Sequence, residues 1–341
     1  MSTRLVRPCS RRRFLSGVTL AGTVGLLSRR TKPVAAAPPP ETTRIRLGQT
    51  ASICRAPEYM ATEFLAGEGF TEVQRVSGTF DEVAKALATG AIDLSLHFAA
   101  TLLMHADAGE PIVGLAGLHV GCIELFGTER VQAIRDLKGK TVSVGGQGLR
   151  SPGYAYLAVM AAYVGLNPFN DIHWVDDPPA ESVQLLAEGK IDAFLAFPPV
   201  AQELRAKQIG HVVVDTTRDR PWSQYVCCVV TGHRTFVKQH PVAIKRALRA
   251  FLKATDVCAV APEQVAQSMV DKGFTPRYDT ALQVLKELPY NVWREYDPED
   301  SVRFFALRLH EAGMLKSSPQ KLITQSTDWH FFNELKKELK G

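Results

Sequence analysis

The sequence predicts an α/β protein of two lobes, each a mainly parallel sheet flanked by helices. Three observations predict it. The 341-residue chain is long enough for two cores of ordinary size. Apolar strands alternate with amphipathic helices, first over 44–128 and again over 129–225, as parallel sheets with right-handed crossovers require. A short unit also recurs. Ala88-Thr89-Gly90-Ala91-Ile92-Asp93 leads into an apolar strand ending at His97-Phe98, and Glu188-Gly189-Lys190-Ile191-Asp192-Ala193 leads into one ending at Phe197-Pro198-Pro199. Gly90 matches Gly189, Ile92 matches Ile191, Asp93 matches Asp192 and Phe98 matches Phe197. A repeat on this scale implies two similarly built halves.

The elements follow in order. Arg44 to Gly48 alternates as a first strand. Pro57 opens a helix to about Gly67, with Met60, Ala61, Phe64 and Leu65 on one face. Thr71 to Val76 is a strand, and Thr79 is placed to cap a helix over Phe80 to Ala88. After the first repeat strand comes a helix from Ala99 to Ala108, then an apolar strand from Ile112 running on through Phe126. The second half repeats the order. It has strand Thr141 to Val144, a Gly-rich loop at 145–151, helix Pro152 to Val164, strand Ile172 to Val175, helix Ala180 to Glu188, the second repeat strand, helix Val200 to Ala206 and strand Val212 to Val214. Trp222 to Thr231 reads as a strand returning to the first lobe. Helices then cover Pro241 to Ala259, Pro262 to Asp271, Tyr278 to Leu288 and Pro298 to Ala312. A closing segment spans Pro319 to Lys340, with Ser318 as its N-cap. The expected organisation is 1–37 leader, 38–43 linker, 44–128 with 226–341 as lobe 1, and 129–225 as lobe 2.

The first 37 residues read as a twin-arginine signal peptide. Ser10-Arg11-Arg12-Arg13-Phe14-Leu15 precedes a short apolar stretch over Gly17 to Leu27, and small residues at Val34 to Ala37 place cleavage near Ala36 or Ala37. The stretch is too short to span a bilayer comfortably. This places the mature chain in the periplasm. The leader holds eight of the 40 Lys and Arg and no acid, so 32 basic residues remain against 35 acidic, a net of −3. The basicity therefore belongs to the leader, and nucleic-acid binding is not expected. Cys54, Cys122, Cys227, Cys228 and Cys258 remain after Cys9 departs. Their spacing matches no zinc pattern, so they read as small buried core residues, with one bridge permitted by an oxidising compartment.

Catalytic patterns are missing from the sequence: there is no G-x-S-x-G, no H-E-x-x-H and no Cys-x-x-Cys. His119, Cys122 and Glu124 do not read as a metal set, because His119 and Cys122 on one strand point to opposite faces. Ligands of open α/β sheets bind beyond the carboxyl ends of the strands. The loops there are glycine-bearing and run into helix N-termini, which favour anions. The candidate ligand contacts are Cys54, Arg55, Thr79, His97, Phe98, Gly121, Gly146, Gln147, Arg150, Ser151, Asp177, Phe197, Pro198, Trp222 and Tyr225. Arg55 and Arg150 stand before helices as anion clamps; Trp222 and Tyr225 offer aromatic faces.

Several segments together resemble a known group: Ala-Thr-Gly-Ala-Ile-Asp at 88–93, Gly-Glu-Pro-Ile-Val at 109–113, Asp-Leu-Lys-Gly-Lys-Thr-Val at 136–142, Glu-Gly-Lys-Ile-Asp-Ala at 188–193 and Pro-Trp-Ser-Gln-Tyr at 221–225. The chain is similar along nearly its whole mature length to the periplasmic substrate-binding proteins of nitrate/sulfonate/taurine-type ABC importers, a superfamily that includes thiamine-pyrimidine-synthase-like proteins. The resemblance implies a type II periplasmic-binding-protein (Venus-flytrap) fold. It also implies closure of a hinge around a small, anionic ligand and delivery to an ABC permease and ATPase. No enzyme activity and no cofactor follow from it, and the protein is expected to be a monomer. Ligands in the group run from nitrate and bicarbonate to sulfonates, pyrimidines and aromatic acids. Cys54-Arg55 departs from the group's common Gly-x-x-x-Pro loop. Two alternatives follow from the same resemblance. One is a thiamine-pyrimidine-precursor enzyme or pyrimidine-binding protein; the enzymes are associated with a Cys-rich iron motif and a pyridoxal-binding Lys, and no Cys cluster is evident here. The other is a ligand sensor serving a membrane receptor.

Overall fold

A computed structural model describes residues 38–146, 148 and 151–340. The leader at 1–37 and the candidate contacts Gln147 and Arg150 lie outside the described residues.

The first half opens with β1 (Arg44–Gln49), α1 (Ala56–Leu65), β2 (Glu72–Ser77), α2 (Phe80–Ala88), β3 (Leu94–Phe98), α3 (Ala99–Asp107) and β4 (Ile112–Val120). The chain then enters β5 (Glu124–Gly127), β6 (Lys140–Ser143), α4 (Pro152–Tyr163), β7 (Ile172–Val175), α5 (Pro179–Ala187), β8 (Ala193–Ala196), α6 (Val200–Lys207) and β9 (His211–Asp215). It returns through β10 (Val226–His233) and ends in helices α7 (Arg234–Gln239), α8 (Pro241–Val260), α9 (Pro262–Asp271), α10 (Tyr278–Glu287), α11 (Pro298–Glu311), α12 (Pro319–Ser326) and α13 (His330–Glu338).

Two five-stranded sheets result, ordered β2-β1-β3-β10-β4 and β7-β6-β8-β5-β9. In the first, β1 runs parallel to β2 and β3, while β10 is antiparallel to β3 and β4. In the second, β6 runs parallel to β7 and β8, while β5 is antiparallel to β8 and β9. Each sheet is thus mixed, and both have the same order. The antiparallel strand in fourth place is the one that has just crossed from the other sheet. The α/β two-sheet architecture expected from the alternation is present, with helices over both sheets. One difference concerns the strand expected from Ile112 through Phe126. It is two strands, divided at 121–123, and β5 belongs to the second sheet. The sequence run is apolar throughout because both parts are buried; apolarity alone does not mark a change of sheet. The other difference is at 222–225, expected as strand, where a single 3₁₀ turn precedes β10.

The repeated Gly-x-Ile-Asp unit does the same work twice. Gly90 and Gly189 end α2 and α5 with φ of +72° and +65°, the left-handed conformation glycine adopts without strain. Ile92 and Ile191 are buried. Asp93 accepts from the Arg46 amide at 2.7 Å and pairs with the Arg46 guanidinium at 2.6 Å. Asp192 accepts from the Thr141 amide at 2.9 Å and from Arg130 Nε at 2.5 Å. Each Asp also donates its own amide to the neighbouring parallel strand, at Arg46 O of β1 (2.8 Å) and Thr141 O of β6 (2.7 Å). The motif fastens β3 to β1 in one sheet and β8 to β6 in the other. Gly153 is fixed by a different need: a Cβ there would stand 2.4 Å from Val144 O, so α4 packs on the end of β6 only with glycine at this place.

The C-terminal helices cover the first sheet. α8 lies along α1 and presents Ala247, Leu248, Phe251 and Leu252 to the core. The expected closing segment is two helices, α12 and α13, separated where Thr327 bridges to Gly114 of β4. Ser318 caps α12 as expected, its side chain accepting from the Lys321 amide. Among the described residues no helix is long and apolar enough to cross a membrane.

Candidate functional site

The carboxyl ends of β1, β6 and β8 and the N-termini of α2, α4, α5 and α6 converge on a cavity of about 260 Å³. Both sheets contribute. Ala51, Ser52 and Phe80 come from the first half; Gly145, Gly146, Ser151, Phe194, Phe197 and Pro198 come from the second. A small inner notch of about 30 Å³ shares Phe80, Ser151 and Pro152 with it and is lined further by Arg55, His97, Phe98, Thr101 and His105. The chamber is largely apolar, and the notch adds the side chains of Arg55, His97, Thr101 and His105. Among the described residues the chamber lining carries no charged side chain.

The polar groups at the cavity are specific. Ser151 caps α4: its Oγ accepts from the Tyr154 amide at 3.2 Å, which leaves the hydroxyl proton to donate. Ser52 lies on the opposite wall with its Oγ 3.1 Å from Cys54 Sγ. In the notch, His97 is buried and its Nδ1 has no hydrogen-bond partner. Burial, then the neighbouring His105 and Arg55, hold His97 well below the usual imidazole range, so the ring is neutral at pH 7. The ring of His105 is 5.9 Å away and itself meets Glu110 at 2.8 Å.

The structure brings together His97, Phe98, Gly146, Ser151, Phe197 and Pro198 around the chamber and its notch. Phe98 and Phe197, the matched residues of the repeat, meet ring to ring at 5.4 Å. Arg55 reaches the notch, but it is not an anion clamp. It is 1% exposed, its Nε lies 3.1 Å from Glu58 Oε2, and its guanidinium also donates to Thr50 Oγ1, Ser95 Oγ and the Leu96 carbonyl. Its charge is matched inside the first half. Glu58 is fully buried, and that burial raises its carboxyl to about 7 against the pull of Arg55.

Six further candidates are placed elsewhere. Cys54 points into the core. Thr79 is an exposed N-cap whose hydroxyl and amide are both engaged with Glu82 in a capping box. Gly121, Trp222 and Tyr225 gather around a separate small pocket with Tyr156 and Phe305. Gly121 is required there because a Cβ would stand 2.5 Å from Thr217 Oγ1. Trp222 is packed between Tyr163 and Phe304, and Tyr225 stacks on Phe304 at 3.9 Å. These aromatics join α4 to α11 rather than face a ligand. Asp177 lies beneath the Gly145–Gly146 loop and uses its backbone carbonyl to accept from Ser182 Oγ at 3.0 Å, as a turn residue before Pro178 does.

Residues 38–271 match the NMT1-like family, well over half of the chain. The chain belongs to the NMT1-like family. No curated protein matches it. Solved structures with the same fold include the periplasmic nitrate-binding protein NrtA from Synechocystis PCC 6803, with a TM-score of 0.72 and 18% identity over 89% of this chain and 90% of that one. The aliphatic sulphonate-binding protein SsuA from Escherichia coli follows at 0.66 and 17%, over 83% and 91%. The alkanesulfonate-binding protein SsuA from Xanthomonas axonopodis pv. citri, solved with MOPS bound, gives 0.67 and 14% over 85% and 99%. At these identities the likeness establishes the periplasmic-binding-protein fold, as the resemblance implies.

In this NMT1-like chain, sequence reasoning missed Ser52, Phe80, Gly145 and Phe194 of the chamber. Phe80 and Ser52 carried a readable signal: each lies at the start of a helical segment just after a strand of the first sheet, the place where a cleft forms. Phe194 carried none, because a buried strand reads as apolar on both faces.

Proposed function

We propose that this chain is an exported solute-binding protein that captures a small organic anion in the cleft and delivers it to the permease of an ABC importer. The chamber built from the strand ends of both sheets carries this reading. Its volume and aromatic walls, Phe80, Phe194 and Phe197, suit a solute with an apolar body. The Ser151 hydroxyl, free to donate, and the surrounding helix N-termini suit an accepting head such as a sulfonate or carboxylate. A bare inorganic ion would leave the apolar walls uncovered.

The two sheets with their helices act as lobes, hinged where the chain crosses at 121–123 and 216–225. Ligand bridging both walls favours the closed arrangement. No chemistry on the ligand is required. The twin-arginine leader, cleavage near Ala36 or Ala37, a periplasmic location and a monomeric state belong to the same proposal. A thermal-shift screen of aliphatic and aromatic sulfonates and carboxylates against neutral solutes of equal size tests it. A ligand at 100 times its Kd is expected to add about 2.7 kcal/mol of stability. Stabilisation by neutral solutes alone would remove the anionic head from the proposal, and no response from any class would remove solute binding.

A further inference from the structure

The sequence spacing of the cysteines showed no cluster, yet the fold assembles one. Cys54 follows β1, Cys122 is in the first crossing between the sheets, and Cys228 is on β10 just after the second crossing. Their Sγ atoms lie within 4.8 Å of one another, and all three residues are buried. His119, at the end of β4, is fully buried and interacts with Cys228. Its Nδ1 is 3.1 Å from the Val120 carbonyl, an arrangement that places the proton on Nδ1 and the lone pair on Nε2. That Nε2 has no hydrogen-bond partner. A buried imidazole beside Cys228, just outside the group of three thiols, offers a fourth donor.

We propose that Cys54, Cys122 and Cys228, with His119 Nε2, bind one Zn²⁺ ion between the two crossings. The donor set is of the structural type, three thiolates and one imidazole. Thiolates bonded to zinc at about 2.3 Å lie ~3.8 Å apart in a tetrahedron, so the sulfurs close in by at most about 1 Å on metal entry. Each thiol gives its proton to solvent as the Zn–S bond forms. Three thiolates on a divalent ion leave one net negative charge in the core; a monovalent ion would leave two, at greater desolvation cost. The frame around the cluster is firm: Tyr290 Oη donates to the Cys54 carbonyl at 2.9 Å and its ring packs edge-on against His119 at 5.2 Å. Cys227, whose Sγ is 3.2 Å from Cys122 Sγ, stands beside the cluster rather than in it. This site is separate from the solute cleft and does not depend on the proposed function.

The test uses the full chain, reduced and freed of metal with a chelator, titrated anaerobically with Zn²⁺ and with Cd²⁺ as an optical probe. The expected result is saturation at one equivalent, a thiolate-to-cadmium ultraviolet band and a rise in Tm with Zn²⁺. Cys228→Ser is expected to weaken binding at least tenfold, and His119→Phe to weaken it while keeping the cadmium–thiolate band. Cys258→Ala, remote from the cluster, is expected to bind as the parent does. Circular dichroism of each metal-free variant reports whether it folds. If Cys228→Ser does not, His119→Phe carries the test. No saturable binding, binding unchanged in a folded Cys228→Ser or His119→Phe, or a Cys122–Cys227 disulfide that persists in place of metal uptake would overturn the proposal.

Discussion

At the residue scale, the chain spends its most cleft-directed charge on itself. Arg55 is nearly inaccessible, and Glu58 beside it is wholly so. Removing one member of a buried pair leaves the other uncompensated, at a cost of ~3–5 kcal/mol. Glu58→Gln is therefore expected to destabilise the fold by about 3 kcal/mol in urea unfolding. A loss under 1 kcal/mol would show that Arg55 is compensated by its hydroxyl and carbonyl acceptors alone. His97 gives a pH dependence of defined sign. Its folded pKa is depressed well below 6.5 by burial, so its contribution is complete above about pH 6.5 and is lost as pH falls toward the folded value, at up to ~1.4 kcal/mol per unit. Glu58 acts in the opposite sense: its pKa is raised from 4.5 to about 7, so its contribution is complete below 4.5 and lost as pH rises through 7. The two overlap below pH 6.5, and a difference measurement separates them. Wild type is expected to lose stability relative to His97→Gln on acidification across that range; parallel pH profiles would assign no titration to His97.

At the element scale, the repeated unit was legible as a repeat and its purpose was not. Gly, Ile and Asp at fixed spacing identify a helix stop entering a strand. Only the register shows that Asp93 and Asp192 each hold an amide near the start of the neighbouring parallel strand, Arg46 of β1 and Thr141 of β6. Asp93→Ala and Asp192→Ala are each expected to cost about 1–3 kcal/mol by leaving a half-buried amide unmet. Because they belong to different sheets, the double variant is expected to lose the sum, within ~0.5 kcal/mol, in denaturant titration. Gly153→Ala is predicted to displace α4 from β6 and weaken ligand binding, since the new methyl would meet Val144 O. The helices and strands themselves were readable nearly to their ends, from α2 and β7 to the Ser318 cap. What could not be read was the split of 112–126 between two sheets, because buried strands of both have the same apolar composition.

At the scale of the whole molecule, α6 of the second half is tied to α10 among the C-terminal helices. Arg205 on α6 reaches both Glu124 at 2.7 Å and Glu287 on α10 at 2.6 Å, and Gln202 also donates to Glu287 at 2.8 Å. Glu287→Ala removes the two ties to α10, leaves Arg205–Glu124 in place and does not touch the chamber lining. Ligand affinity is expected to fall about five- to tenfold, the ~1–1.4 kcal/mol by which the closed arrangement would lose favour, with each half still folded by circular dichroism. Unchanged affinity in calorimetry would mean the ties play no part in closure. The site was half legible for a related reason. Residues after β3 and β8 were predictable from the strand-end rule, whereas Trp222 and Tyr225 looked like ligand aromatics. They instead join α4 to α11, a packing that no local pattern announces.

The swapped fourth strands also impose an order on biosynthesis. β4 is buried along its whole length, and its one partner in the sheet is β10, more than a hundred residues later in the chain. While a ribosome is still making the second half, β3 and β4 each present an apolar edge with no strand to receive it, the condition under which nascent chains associate with one another. The first half reaches its final form only after the second has been made. Until then, protection must come from something outside the sheet.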